Sequence, residues 1–191
     1  MEKKLFNFGV GKLQTIQKYF IYFLLYSAIG WLYEVLLEYF VYQNGFINRG
    51  VLFGPYCPVY GLGTLVFLLC FNKALKAECK FWLRYLRLFL LFFGCMAVAT
   101  LLELLTSYIL EFFTGGWPWD YFKYDINFQG RVALSPSIRF GLGGIFFLYL
   151  VQPRFEKLTG KMSPKVLNVV FGILFGIFSC DLLVWVCKTL F

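Results

Sequence analysis

YFIYFLLYSAIGWLYEVLLEYFVYQ, residues Tyr19 to Gln43, runs for about 25 residues with Glu34 and Glu38 as its only charges. At about 1.5 Å per residue it is long enough to cross a bilayer core of roughly 30 Å. It is expected to be a membrane helix rather than a removable leader, whose apolar stretch is only about 7–15 residues long. The rest of the chain has the same character. It is 60% hydrophobic and 23% aromatic over 191 residues, with a mean hydropathy of +0.71. One soluble core of this size cannot hide so much apolar surface. Charged residues make up only 15%, yet the net charge is +8. The bases flank apolar runs and do not alternate with stacking aromatics, a pattern that suits a bilayer partner and argues against nucleic acid.

Apolar windows predict an all-α, polytopic membrane protein with five spans: Lys18–Gln43, Val51–Phe71, Phe81–Phe113, Pro136–Val151 and Lys165–Leu190. The third is over-long and opens with Arg84 and Arg87 among aromatics, as an interfacial turn would. The fourth is short. Lys and Arg collect at the N-terminus (Lys3, Lys4, Lys12, Lys18), between spans two and three (Lys73, Lys76, Lys80) and between spans four and five (Arg154, Lys157, Lys161, Lys165). The positive-inside bias therefore predicts a cytoplasmic N-terminus and an outer C-terminus. The chain reads as a single transmembrane domain over 1–191, with a cytoplasmic segment at 1–17 and a fifth helix at 165–190.

Sliding the sequence by 80 positions sets Gly50 on Gly130 and Gly61-Leu62-Gly63 on Gly141-Leu142-Gly143. With an insertion in the later link, WLYEVLLEY also falls on TLLELLTSY. Two parallel helical hairpins at 18–72 and 88–151 would produce this pattern, and so would chance in a glycine-rich chain.

An ionised side chain near the bilayer centre costs about 2.5–3.5 kcal/mol. Glu34 and Asp181 fall about fifteen residues into their spans, or about 22 Å from the cytoplasmic end, and Glu103 does so once the interfacial opening of the third span is left out. Arg49 and Arg131 precede spans two and four, and Arg139 lies one turn inside the fourth. Two readings follow. The six charges form a solute site in the bundle, or they are ion pairs that lock helices together. Glu38 one turn beyond Glu34, and Ser107 and Glu111 beyond Glu103, extend polar stripes outward, with Glu111 read as solvated rim. In NRGVLFGPYCP, Pro55 and Pro58 lack an N–H, while Gly50 and Gly54 permit turns, so the stretch is expected to be a broken helix entrance. Gly130 and Pro136 are the corresponding breaks before the fourth span, Pro136 in its first turn. The six cysteines form no CxxC pair and are expected to pack as small hydrophobes. With no histidine, neither a metal site nor a cofactor is expected.

GWLYE (Gly30–Glu34), NRGVLFGPYCPVYGLG (Asn48–Gly63), ELLTSYILE (Glu103–Glu111), WDY (Trp119–Tyr121), and NFQGRVAL with SPSIRFGLGG (Asn127–Gly144) resemble the bacterial membrane proteins of the ABC-transporter type IV, or CmpB-like, permease family. The resemblance covers about residues 17–150. It implies a permease in a bacterial cytoplasmic membrane and, by matching motif, site residues Glu34, Asn48, Arg49, Tyr60, Glu103, Asp120, Asn127 and Arg131, with Gly50 and Pro55 as conformational breaks. Arg139 stands where the resemblance leads one to expect an aromatic residue. No GxxxxGK[ST] occurs, so an ATPase would be a separate subunit.

Three functions remain open at this stage. The first is a permease for a small polar or charged solute, with acids and arginines lining its site, alone or as a homo-oligomer. The second is a membrane-embedded enzyme in which Arg49 and Arg131 hold a lipid phosphate and Glu34 or Glu103 acts as base, although no nucleophile supports it. The third is a structural or accessory subunit.

Overall fold

The computed structural model describes residues 2–48, 50–78, 80–117 and 119–190. Arg49 and Cys79 lie outside the described residues. The chain is helical almost throughout. Helix α1 (Glu2–Leu36) runs into a π-helical turn at Leu37–Val41; α2 spans Pro58–Lys76 and α3 Phe81–Thr114. A two-stranded antiparallel hairpin follows, β1 (Asn127–Phe128) with β2 (Val132–Ala133). Then come α4 (Leu134–Phe146), a second π turn (Phe147–Val151), α5 (Gln152–Gly160) and α6 (Pro164–Leu190). Among the described residues, five stretches are long and apolar enough to cross a membrane: Gly11–Val41, Pro58–Lys76, Phe81–Thr114, Leu134–Gly160 and Pro164–Thr189. The protein is thus all-α and polytopic.

Three boundaries differ from those expected. The first span starts earlier, at Gly11. The second starts at Pro58 rather than Val51, because the amides that would continue the helix are used elsewhere. Phe53 and Gly54 donate theirs to the carboxylate of Asp181, and Pro55 and Pro58 have none. Gly50–Cys57 is therefore a clamped loop, not a broken helix, and Pro58 takes the first helical position, where a missing N–H costs nothing. The fourth span does not stop at Val151 but continues to Gly160. Pro153 cannot donate to the carbonyl one turn back, and its ring would strike it; the π turn at Phe147–Val151 shifts that carbonyl away and lets the helix proceed. Pro136 stands in the first turn of α4, as expected.

The chain divides into two compact units, Met1–Leu65 with Arg154–Phe191, and Val66–Pro153. In the first, α1 packs on α6, and Phe20 meets Phe171, Phe175 and Phe178 at 5.3–6.0 Å between ring centres. Tyr22 shares a 2.7 Å hydrogen bond with Thr159, and Tyr26 is fully buried. In the second unit α3 packs on α4 by way of glycines. A Cβ on Gly144 would lie 2.7 Å from Cys95 Sγ, and one on Gly141 3.1 Å from the carbonyl oxygen of Phe92. Small residues at such crossings let backbones approach and gain dispersion contacts that lipid cannot supply. Outward-facing side chains such as Leu69, Phe112 and Ile173 are largely exposed, which is stable only if hydrocarbon covers them.

Candidate functional site

In the first unit Glu34 sits on α1, half-buried. Its Oε1 accepts a short hydrogen bond from the hydroxyl of Tyr60 on α2. Gly30, one turn earlier, makes room for the Tyr60 ring, which any side chain at that position would strike. Among the described residues no Lys or Arg pairs with Glu34. One turn beyond, Glu38 is 3% exposed and accepts from Asn44 Nδ2 at 2.8 Å, while the Asn44 amide bonds the Glu38 carbonyl at 3.0 Å. This acid ties down the chain reversal, where Gln43 and Gly45 both have positive φ.

Asn48, expected at the site, bridges two neighbours. Its Oδ1 accepts from Trp31 Nε1 at 2.6 Å, and its Nδ2 donates to the Phe53 carbonyl at 3.4 Å. Asp181 on α6, expected in a cluster with arginines, is held by the loop before α2. Its carboxylate takes the amides of Phe53 (3.1 Å) and Gly54 (2.8 Å) together with the hydroxyl of Tyr56. It clamps the loop before α2 and pairs with no arginine among the described residues. Burial, and then the hydrogen bond and charge of Asp181, push the Tyr56 hydroxyl above its ordinary value. Gly50 is held at φ +121°, and a Cβ there would come within 3.2 Å of Cys57 Sγ and the Tyr56 carbonyl. The Cys57 amide in turn bonds the Ser27 carbonyl at 2.9 Å.

In the second unit Glu103, 8% exposed, accepts from the hydroxyl of Tyr121 at 2.7 Å. Arg131, 6% exposed, lies between the rings of Tyr108 (4.1 Å to the ring centre) and Trp117 (3.9 Å). Its ion pair is with Glu111, at 2.5 Å, and Ser107 Oγ accepts from it at 3.4 Å. Glu111 is therefore a partner and not merely rim, although its side chain remains 42% exposed. The β-hairpin delivers Arg131 to this cage. Gln129 and Gly130 both take positive φ, the Arg131 amide bonds the Phe128 carbonyl at 3.0 Å, and Trp119 Nε1 donates to the Arg131 carbonyl at 2.7 Å.

Two further expected site residues act as turn-builders. Asp120 accepts from the Phe122 amide at 2.8 Å. Asn127 receives the Gly130 amide at 3.0 Å and donates to the Tyr124 carbonyl at 2.7 Å. Arg139 is exposed and reaches Tyr124 Oη (3.3 Å) and Ser135 Oγ (3.2 Å). Tyr121, Trp117 and Tyr108 were not singled out as partners in the sequence. They become partners only because the hairpin carries Arg131 between the rings of Tyr108 and Trp117, and the loop before it brings Tyr121 to Glu103.

These spans, the lipid-facing surfaces and the charges held inside helices define a multi-pass helical membrane protein. The chain belongs to the family described as Putative ABC-transporter type IV, whose model matches residues 21–186. No curated protein and no solved structure matches it.

Proposed function

We propose that this chain is the membrane-spanning component of a transporter for a small polar or charged solute, with Glu34 and Glu103 as its solute- or proton-binding groups. The observation that carries the reading is the pairing of each acid, within a membrane span, with a tyrosine hydroxyl: Tyr60 with Glu34 and Tyr121 with Glu103. A phenol donates to a carboxylate and, rotated, accepts from a carboxylic acid, so such a pair tolerates both protonation states. For Glu34, which pairs with no Lys or Arg among the described residues, this differs from a helix lock built from an acid and a base, where loss of either charge leaves the other uncompensated.

Internal duplication fits the same reading. Gly61 lies on the Phe23 carbonyl and Gly141 on the Phe92 carbonyl. Phe23 to Phe92 and Glu34 to Glu103 are both separated by 69 positions, and the two glycines by 80. A repeated hairpin would place one acid in each copy. Family membership supports transport, and an ATP-driven cycle would need a separate ATPase subunit, since the chain holds no phosphate-binding GxxxxGK[ST]. A bacterial cytoplasmic membrane, with the N-terminus inside, is the setting this implies.

The test compares Glu34→Gln and Glu103→Gln with the parent protein in detergent, across a panel of small charged and polar solutes. The reading expects a thermal midpoint close to the parent's and loss of the solute-dependent upward shift. Unfolding of both variants, with solute response intact in whatever fraction folds, would leave the acids as structural groups.

A further inference from the structure

At the turn between α2 and α3 a cleft of ≈770 Å³ is lined by Ala77, Glu78, Phe81, Arg84, Tyr85, Arg87, Leu88 and Tyr149. Its hydrogen-bonding capacity is largely unspent. Arg84 makes no hydrogen bond or ion pair among the described residues, and neither the Tyr85 nor the Tyr149 hydroxyl has a hydrogen-bond partner there. Arg87 uses Nη1 to cap the end of α2, donating to the carbonyls of Ala74 (3.0 Å) and Ala77 (2.7 Å). Its Nε, although buried, is unpartnered among the described residues. Lys80 precedes α3 without a side-chain cap, so the amides of the helix's first turn also lack intrahelical acceptors. Two arginines and two tyrosine hydroxyls thus line one space, with Glu78 as its acid.

The cleft lies where two spans end, at Lys76 and Phe81. At about 1.5 Å per residue α3 is roughly 50 Å long, well beyond a hydrocarbon core of about 30 Å, so its first turns reach the head-group layer. Phe81, Tyr85 and Leu88, which line the cleft, are themselves exposed, offering acyl chains an apolar wall beside the polar groups. Exposed aromatics together with arginines are the chemistry of a membrane interface.

We propose that this cleft binds the phosphodiester head group of a membrane phospholipid, with Arg84 and the Tyr149 hydroxyl as its principal ligands and the exposed Phe81 and Leu88 side chains against the acyl chains. Arg84 supplies a planar, permanently charged fork suited to phosphate oxygens. Glu78, which also lines the cleft, opposes a second negative charge on the ligand and so favours a singly charged phosphodiester over a phosphomonoester. The inference is independent of the solute-handling proposal, because no residue of the cleft takes part in it.

Native mass spectrometry of the purified protein, released from detergent after incubation with mixed phosphatidylethanolamine and phosphatidylglycerol, reads the occupancy. The parent protein is expected to retain one phospholipid, and Arg84→Gln to reduce that retention at least tenfold. Tyr149→Phe, which conserves the ring and keeps the site testable should the arginine variant not fold, is expected to reduce it severalfold. Millimolar inorganic phosphate should leave the lipid bound. Equal retention by the parent and either folded variant, or displacement by inorganic phosphate, would overturn the proposal, the latter by showing a site for the free anion.

Discussion

Gly30 lies under the ring of Tyr60 so closely that a methyl group on it would overlap the ring. One turn along α1, the hydroxyl of the same tyrosine reaches Glu34. The glycine therefore sets the position of the acid's partner. Gly30→Ala should displace Tyr60 and destabilise by about 1–3 kcal/mol, as overpacking does. Tyr60→Phe should cost about 1.5–3 kcal/mol, the range for hydrogen bonds to charged groups. Because both act on one contact, the double variant should lose less than the sum, and thermal unfolding in detergent measures this. Additive losses would separate the glycine from the hydrogen bond.

Arg131 supplies the second prediction. Removing its charge in Arg131→Gln leaves Glu111 unpaired and empties the space between Tyr108 and Trp117, so a loss of about 3 kcal/mol or more is expected. Glu111→Gln should cost less, because its side chain is 42% exposed and water replaces part of the interaction. A double-mutant cycle should find coupling between Arg131 and Glu111. Absence of coupling would mean that the ring contacts alone hold the guanidinium.

Asp181 gives a prediction of a different kind, since its partners are mostly backbone. Asp181→Asn keeps the shape but removes the charge that draws two amides and a phenol together. Protection of the Phe53 and Gly54 amides against hydrogen exchange should fall, while amides within α3 keep theirs. Uniform loss across both regions would show that the clamp supports the fold globally and not the loop.

The Tyr56 hydroxyl sets an alkaline limit. Its folded pKa is raised above the ordinary 10.0, so the unfolded chain ionises first as pH rises. Stability from the neutral phenol is fully present below about pH 10 and declines above it. Tyr56→Phe should flatten that alkaline decline in thermal midpoint. An unchanged slope would place the sensitivity on another group.

Topology can be checked separately from chemistry. From the Lys and Arg bias, a cysteine placed at Ala77 should be shielded from an impermeant thiol reagent in intact cells, and one at Gly116 should react. The reverse pattern would invert the chain in the membrane.

The five spans were legible because lipid demands about twenty apolar residues per crossing, a signal that needs no tertiary information. The errors fell where tertiary contacts overrode local rules. Val-Leu-Phe at 51–53 reads as the start of a span, but the amides of Phe53 and the next residue, Gly54, are claimed by Asp181, more than a hundred residues away in sequence. Pro153 reads as a stop, but the preceding π turn absorbs it. Among site residues, the intramembrane acids stood out by cost alone. Of their partners, Tyr60 stood out as a site residue only through the family resemblance and Tyr121 did not, since a tyrosine beside a membrane surface is ordinary until the fold shows which one turns toward an acid. Arg131 was visible as a charge, but its partnership with Glu111 depends on a two-residue hairpin strand that no periodicity could announce.

The central claim is that Glu34 lies on a polar path and not in lipid or in a dry lock. The most direct measurement places Glu34→Cys in a background without reactive native cysteines and compares two labels, a charged, membrane-impermeant thiosulfonate and an apolar maleimide. Modification by the charged reagent at a rate above that of a cysteine at buried Val35 is the result expected of a water-filled approach to this position. Labelling by the apolar reagent alone, or by neither, would contradict it and leave Glu34 as a helix-packing residue.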